Sequence, residues 1–162
     1  MAKELDGEAK GDGVRIAIAI ARFNEEITLR LLEGSLMAMQ EHHIEDENLT
    51  LAWVPGAFEL PLMASTLAKT GNYDAIVCLG VVIKGETAHF DHISARAAAG
   101  IEAVSRETGI PVTFGVQTTY TTEQAMERSG GEKGNRGYDV TVAALTMVDV
   151  LKQVRGETLP PT

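Results

Sequence analysis

From Val14 to Arg155 the chain alternates short apolar runs with longer stretches in which apolar residues recur every three or four positions. The first run, Val14 to Ile20, predicts a strand. Ile27, Leu31, Leu32, Leu36 and Met39 then recur at helical spacing and predict a helix over 25–43. The cycle repeats. Thr50 to Val54 reads as a strand and Phe58 to Lys69 as a helix, in which Pro61 fits only the first turn and Gly71-Asn72 is the stop signal. Ala75 to Val82 is apolar on both faces, as expected of a central parallel strand covered on each side by helices. A helix at about 91–108, a strand from Val112 to Thr118, a short helix over 122–129 and a last helix over 138–155 complete the pattern.

Four strands joined by helical crossovers predict an α/β fold, a three-layer αβα sandwich around a four-stranded parallel sheet. The strand order 2-1-3-4 gives it a flavodoxin-like layering. In such sheets ligands bind outside the carboxyl ends of the strands, where the order reverses. The reading divides the 162 residues into a polar arm over 1–13, one domain over 14–156 and a tail over 157–162. The arm is expected to be disordered or pinned by a neighbour.

Charge changes the picture only locally. Lys and Arg number 14 against 23 Asp and Glu, a net charge of −9, which argues against nucleic acid or an anionic membrane as partner. Seven of the acids lie between 25 and 47 beside the single base Arg30, so this excess belongs to a solvated helix face. A small anionic substrate needs only a few local cations. The lone Cys78 forms no disulfide within the chain and points to a reducing, cytoplasmic setting. No stretch approaches the roughly 18 apolar residues of a membrane span.

Candidate chemistry gathers just past the strands. Lys84-Gly85-Glu86-Thr87-Ala88-His89 combines a permissive glycine, a hydroxyl and a helix start whose N–H groups can hold an anion. Two readings stand for Thr87, a plain helix cap and part of a phosphate cradle. Neither a P-loop nor a dinucleotide fingerprint is present. His89 is either a proton carrier near neutral pH or a surface histidine bonded to its own loop. His89, Asp91 and His92 form H-x-D-H, but His42 and His43 lie at an acidic helix end with no spacing to complete a metal site. Glu59 is either a helix-dipole partner or an acceptor for a polyol. Phe23, flanked by Arg22 and Asn24, is better placed to face a planar ligand than Phe58, whose helix must bury an apolar side.

Together, Arg22-Phe23-Asn24, Val54-Pro55-Gly56-Ala57-Phe58-Glu59-Leu60-Pro61, the run from Gly80 to Asp91, Phe114 to Thr119 and Glu127-Arg128-Ser129-Gly130 resemble the 6,7-dimethyl-8-ribityllumazine synthase family of riboflavin biosynthesis. The likeness runs from about Val14 to Val154. It implies condensation of 5-amino-6-(D-ribitylamino)uracil with 3,4-dihydroxy-2-butanone 4-phosphate, releasing phosphate and water, with no metal and no organic cofactor. An amine attacks a ketone, an imine forms, phosphate leaves and the ring closes.

Carried over by position, Phe23 stacks on the pyrimidine, and Ala57, Phe58 and Glu59 hold the ribityl chain. Val81, Val82 and Ile83 offer backbone groups to the pyrimidine edge. Glu86 and Thr87 mark the phosphate subsite, where Glu86 contributes its N–H and aims its carboxylate away, since like charges repel. His89 matches the proton-transfer histidine. Phe114 and Arg128 match residues that an adjacent subunit donates, to the pyrimidine and the phosphate respectively. Arg136 stands where relatives carry a lysine that reaches the substrate carbonyl, and Lys133 is shifted by one from the usual register. His92 replaces an aromatic residue.

The resemblance further implies a homo-pentamer with shared active sites, alone or as a sixty-subunit icosahedral shell, in some cases associated with riboflavin synthase. The segment 130–137 has no insertion relative to shell-forming relatives, which favours the shell. The arm before Val14 is expected to add an edge strand to the next subunit's sheet. A non-catalytic lumazine- or flavin-binding shell protein of the same fold is the alternative. A flavin mononucleotide carrier fails because no Ser/Thr/Gly-rich loop follows the first strand.

Overall fold

The computed structural model describes residues 1–157. The elements follow as β1 (Ile16–Ala21), α1 (Glu25–Glu41), β2 (Leu49–Val54), α2 (Leu60–Lys69), β3 (Ala75–Ile83), α3 (His89–Thr108) and β4 (Val112–Thr119). After them come α4 (Thr122–Glu127), a small hairpin of β5 (Ser129–Gly131) and β6 (Gly134–Asn135), and α5 (Arg136–Val154). Four strands form one sheet in the order β2-β1-β3-β4. All are parallel, with Ile16 opposite both Leu49 and Ala75, and Ile83 opposite Thr119.

The two central strands are buried along their length, as their unbroken apolar runs predict. Their alternating side chains feed two separate cores. Ile16, Ile18, Ile20, Val77 and Leu79 pack beneath Leu31 of α1 and Leu145 of α5. Ala17, Ala19, Ile76 and Cys78 face Leu60 of α2 and Ile101 of α3. The helices on that side approach closely: a β-carbon on Gly100 would sit 2.7 Å from the ring of Pro61. Burial pushes the Cys78 thiol up to about 12, because the thiolate would lose its solvation.

Most boundaries differ from the sequence pattern by one or two residues, and four have a visible cause or consequence at the site. Helix α1 ends at Glu41, not 43, since His43 adopts a left-handed φ of 65°. Residues 57–59 make a 3-10 turn, so α2 opens at Leu60 with Pro61 inside its first turn. Helix α3 begins at His89, two residues earlier than its apolar period suggests. Helix α5 begins at Arg136, not 138, because Asn135 caps it by accepting the Tyr138 N–H at 3.2 Å.

The N-terminal arm has no strand or helix, and its own chain pins it. Part of the arm is thus anchored within the chain, besides whatever a neighbour adds. Asp149, only 3% exposed, accepts the Glu8 N–H at 2.8 Å, and Gln153 donates to the Asp6 carbonyl at 2.7 Å. A buried carboxylate needs such donors, so the contact is favourable for both segments. Residues 1–5 extend beyond it, exposed. Of the expected tail over 157–162, only Glu157 lies within the described residues. Among the described residues no helix is long and apolar enough to cross a membrane.

Candidate active site

A cavity of about 600 Å³ opens at the carboxyl ends of β1, β2 and β3. Pairing between β1 and β2 continues past the strand ends, where the Arg22 and Phe23 N–H groups donate to Val54 and Pro55 at 2.8 and 3.0 Å. Asn24 then turns left-handed, with φ 60°, and starts α1. Phe23 is thereby left 71% exposed at the cavity wall. Phe58, which spacing alone left open to the core and the resemblance assigned to the ribityl chain, is 57% exposed and lines the same cavity, on a 3-10 turn ahead of α2. Two solvated aromatic rings facing one hollow form an apolar patch of the kind that binds ligands.

Ala57 and Glu59 line the cavity beside them. A Glu59 carboxylate oxygen lies 3.4 Å from where a Gly56 β-carbon would be, an ordinary contact distance, so the carboxylate sits close over this turn. Val81, Val82 and Ile83 form the floor. The side chains of Val81 and Val82 are buried, which leaves their backbone as the hydrogen-bonding surface. The Asn24 amide reaches the Val81 carbonyl at 3.5 Å and ties the ends of β1 and β3 together.

The segment from Lys84 to His89 is exposed throughout. Thr87 and His89 line the cavity; Glu86 does not. The Thr87 hydroxyl accepts the His89 N–H at 3.4 Å, a long contact that makes it a weak cap. Among the described residues, no partner is seen for the backbone N–H groups of Gly85 to Ala88. Phe90 and Ile93, on the next turn of α3, complete the apolar wall.

Phe114, Arg128 and Arg136 lie elsewhere, in a second cleft of about 520 Å³ whose lining shares no residue with the first. The hairpin builds it. Lys133 N–H donates to Glu127 and Arg136 N–H to Arg128, both at 2.8 Å, which folds the two cations back beside Arg128. The Arg128 guanidinium donates to the Gln124 carbonyl at 3.0 Å and lies 3.6 Å from Glu127. Gln117, only 6% exposed, donates to the Arg128 carbonyl at 3.1 Å and fixes its backbone. Three cations face the single carboxylate of Asp139 in this cleft, whereas Glu59 and His89 are the ionisable groups of the first. One chain therefore separates a largely apolar surface from a cationic one.

Comparison with known proteins decides the family. The model of the family described as 6,7-dimethyl-8-ribityllumazine synthase matches residues 13–152. The chain is 50% identical over 152 residues to the protein of that name from Protochlamydia amoebophila (strain UWE25), covering 94% of this chain and 88% of the relative. It is 48% identical over 155 residues to the one from Desulfatibacillum aliphaticivorans, covering 96% of this chain and all of the relative. The chain belongs to the 6,7-dimethyl-8-ribityllumazine synthase family.

Several residues stand at the clefts that the sequence had not assigned to a site. Lys133 joins Arg128 and Arg136 in the second cleft, although its register had argued against it. Gly130 and Gly134, with φ of 101° and 83°, were the legible sign of a hairpin there. Phe90 and Ile93 had no signal beyond ordinary helical spacing. His92 is exposed and lines neither cleft. Among the described residues no three His, Cys, Asp or Glu side chains gather as a metal site would require.

Proposed function

We propose that the protein condenses 5-amino-6-(D-ribitylamino)uracil with 3,4-dihydroxy-2-butanone 4-phosphate to 6,7-dimethyl-8-ribityllumazine, releasing phosphate and water. Family membership and the shape of the first cavity support the reading. Phe23 offers a ring face for the pyrimidine, Glu59 accepts from ribityl hydroxyls, and the backbone at Val81 to Ile83 meets the pyrimidine edge. The partner-free N–H groups before α3 suit a phosphate, with Glu86 turned from the cavity so that its charge does not oppose it. His89 carries protons between amine, carbonyl oxygen and leaving groups. Holding two reactants together supplies much of the acceleration, which is why so few ionisable groups suffice.

The observation that carries the reading furthest is the separation of the two clefts. A phosphorylated substrate in the first cavity finds no cationic side chain in its lining, while Arg128, Lys133 and Arg136 cluster in the second. Closing each first cavity with the second cleft of a neighbour resolves this, bringing Phe114 to the pyrimidine and Arg128 to the phosphate. A cyclic head-to-tail assembly of this kind closes as a ring. The ring is a pentamer, further assembled into an icosahedral shell, and acts in the cytoplasm. Residues 1–5, exposed beyond their anchor on α5, add an edge strand to the next subunit.

The test is direct. Purified protein incubated with both substrates and without added metal yields a fluorescent lumazine in step with phosphate release. Absence of product from correctly assembled particles overturns the assignment.

A further inference from the structure

The loop that carries Thr87 and His89 is tied at both of its ends to one ring. Lys84, immediately before it, places its ammonium 5.4 Å from the centroid of the Tyr120 ring. Phe90, immediately after it, packs against the same ring with centroids 6.3 Å apart and planes inclined at 42°. Tyr120 is anchored in turn, its N–H donating to the Gln124 side chain at 2.9 Å. The Lys84 N–H donates to the Thr119 carbonyl at 2.9 Å, so backbone and side chain hold the loop's start to the end of β4. Between these points support is thin: a β-carbon on Gly85 would meet no atom within 4 Å.

We propose that Tyr120 is a positioning residue that, through Lys84 and Phe90, clamps residues 85–89 in the geometry that receives the phosphorylated substrate. This rests on the activity proposed above. The physical case is entropic. A loop exposed along its length and held internally by no more than the long Thr87–His89 contact must be ordered when it binds, and fixing it beforehand removes that cost from binding. A cation over an aromatic face and an inclined ring pair are each modest attractions, but here they act on opposite ends of a five-residue segment. The ring performs this role, and the Tyr120 hydroxyl is not needed for it. Tyr120 also lines the second cleft, so the clamp stands on the ridge between the two surfaces.

The experiment compares Tyr120→Ala, Tyr120→Phe, Lys84→Met and Lys84→Arg as assembled particles of wild-type mass. Each substrate is varied at saturation of the other, and hydrogen exchange is read on peptides spanning 84–90. Tyr120→Ala raises KM for the butanone phosphate about threefold to tenfold, leaves KM for the pyrimidine within about twofold, and speeds exchange across the loop. Tyr120→Phe, which keeps the ring, restores both values. Lys84→Met moves in the same direction as Tyr120→Ala, and Lys84→Arg recovers.

Weakening by Lys84→Met but not by Tyr120→Ala would mean that Lys84 attracts phosphate directly, and overturns the clamp. So does an equal rise in both KM values, unchanged exchange in Tyr120→Ala, or Tyr120→Phe behaving like Tyr120→Ala. Absence of turnover in the wild type overturns the enzymatic reading alone, and the exchange rates then decide the clamp.

Discussion

The side chain of Asn135 fills the space that Gly34 leaves open: a β-carbon on Gly34 would lie 2.2 Å from the Asn135 Cγ. The amide is held there, donating to the Arg30 carbonyl at 3.0 Å and accepting the Tyr138 N–H at 3.2 Å. One polar side chain thus joins α1, the hairpin and the first turn of α5, directly beside Arg136. Gly34→Ala evicts it. The expected loss is about 1–3 kcal/mol of stability, from overpacking together with the broken cap. A weaker hold on the phosphorylated substrate should follow as Arg136 shifts. Urea unfolding and KM for the butanone phosphate check this, and a neutral substitution would refute the packing argument.

Arg128→Ala should raise KM for the phosphorylated substrate far more than for the pyrimidine, because only the former carries a charge for the guanidinium to meet. The same residue allows a test of site sharing. Arg128→Ala and His89→Ala, refolded together in equal amounts, should regain about a quarter of wild-type activity, the fraction of junctions that draw an intact half from each chain. Activity no greater than the mean of the two variants alone would show that each chain holds a complete site.

Removing the proton carrier alone should slow the reaction without ending it. His89→Ala is expected to lower kcat about hundredfold with KM little changed, since the positioning of two substrates survives. Complete loss from intact particles would give His89 a larger part than proton transfer.

The single thiol should be silent in the native protein. With Cys78 buried in β3 and its pKa pushed up to about 12, the nucleophilic thiolate is absent at working pH. Iodoacetamide at pH 8 should leave folded protein unmodified and add one equivalent after unfolding in urea, as mass spectrometry will read. Rapid labelling of the native form would contradict the packing of β3.

Tyr138 donates its phenol proton to the Glu41 carboxylate, and this bond first, with desolvation and the nearby charges of Glu41 and Asp139 after it, raises its pKa. A folded-state pKa above the unfolded value of about 10 means that the stabilisation is complete below that pH. It is lost as pH rises through the raised value. Tyr138→Phe should therefore lower the urea midpoint at pH 8 and flatten its decline above pH 10. Parallel curves for wild type and variant would show that the pair contributes nothing.

What the amino-acid order determined by itself was the framework. A central strand buried on both faces reads as an unbroken apolar run, from Ala75 to Val82, and right-handed crossovers make a layered parallel sheet, for which the order 2-1-3-4 was the natural expectation and is the one observed. The strand ends then drew attention to Phe23, Glu59, Thr87 and His89 as candidates, because ligands in such sheets gather there, and all four line one cavity. Tertiary structure decided what local pattern does not encode. A 3-10 turn set the Phe58 ring against the cavity, and Lys133 joined the cationic cleft when Gly130 and Gly134, at positive φ, closed the hairpin that carries it. The pairing of Lys84 and Phe90 on Tyr120 is of the same kind. Periodicity reports which face of an element is buried. It carries no information about which residues from distant segments meet once the faces are packed.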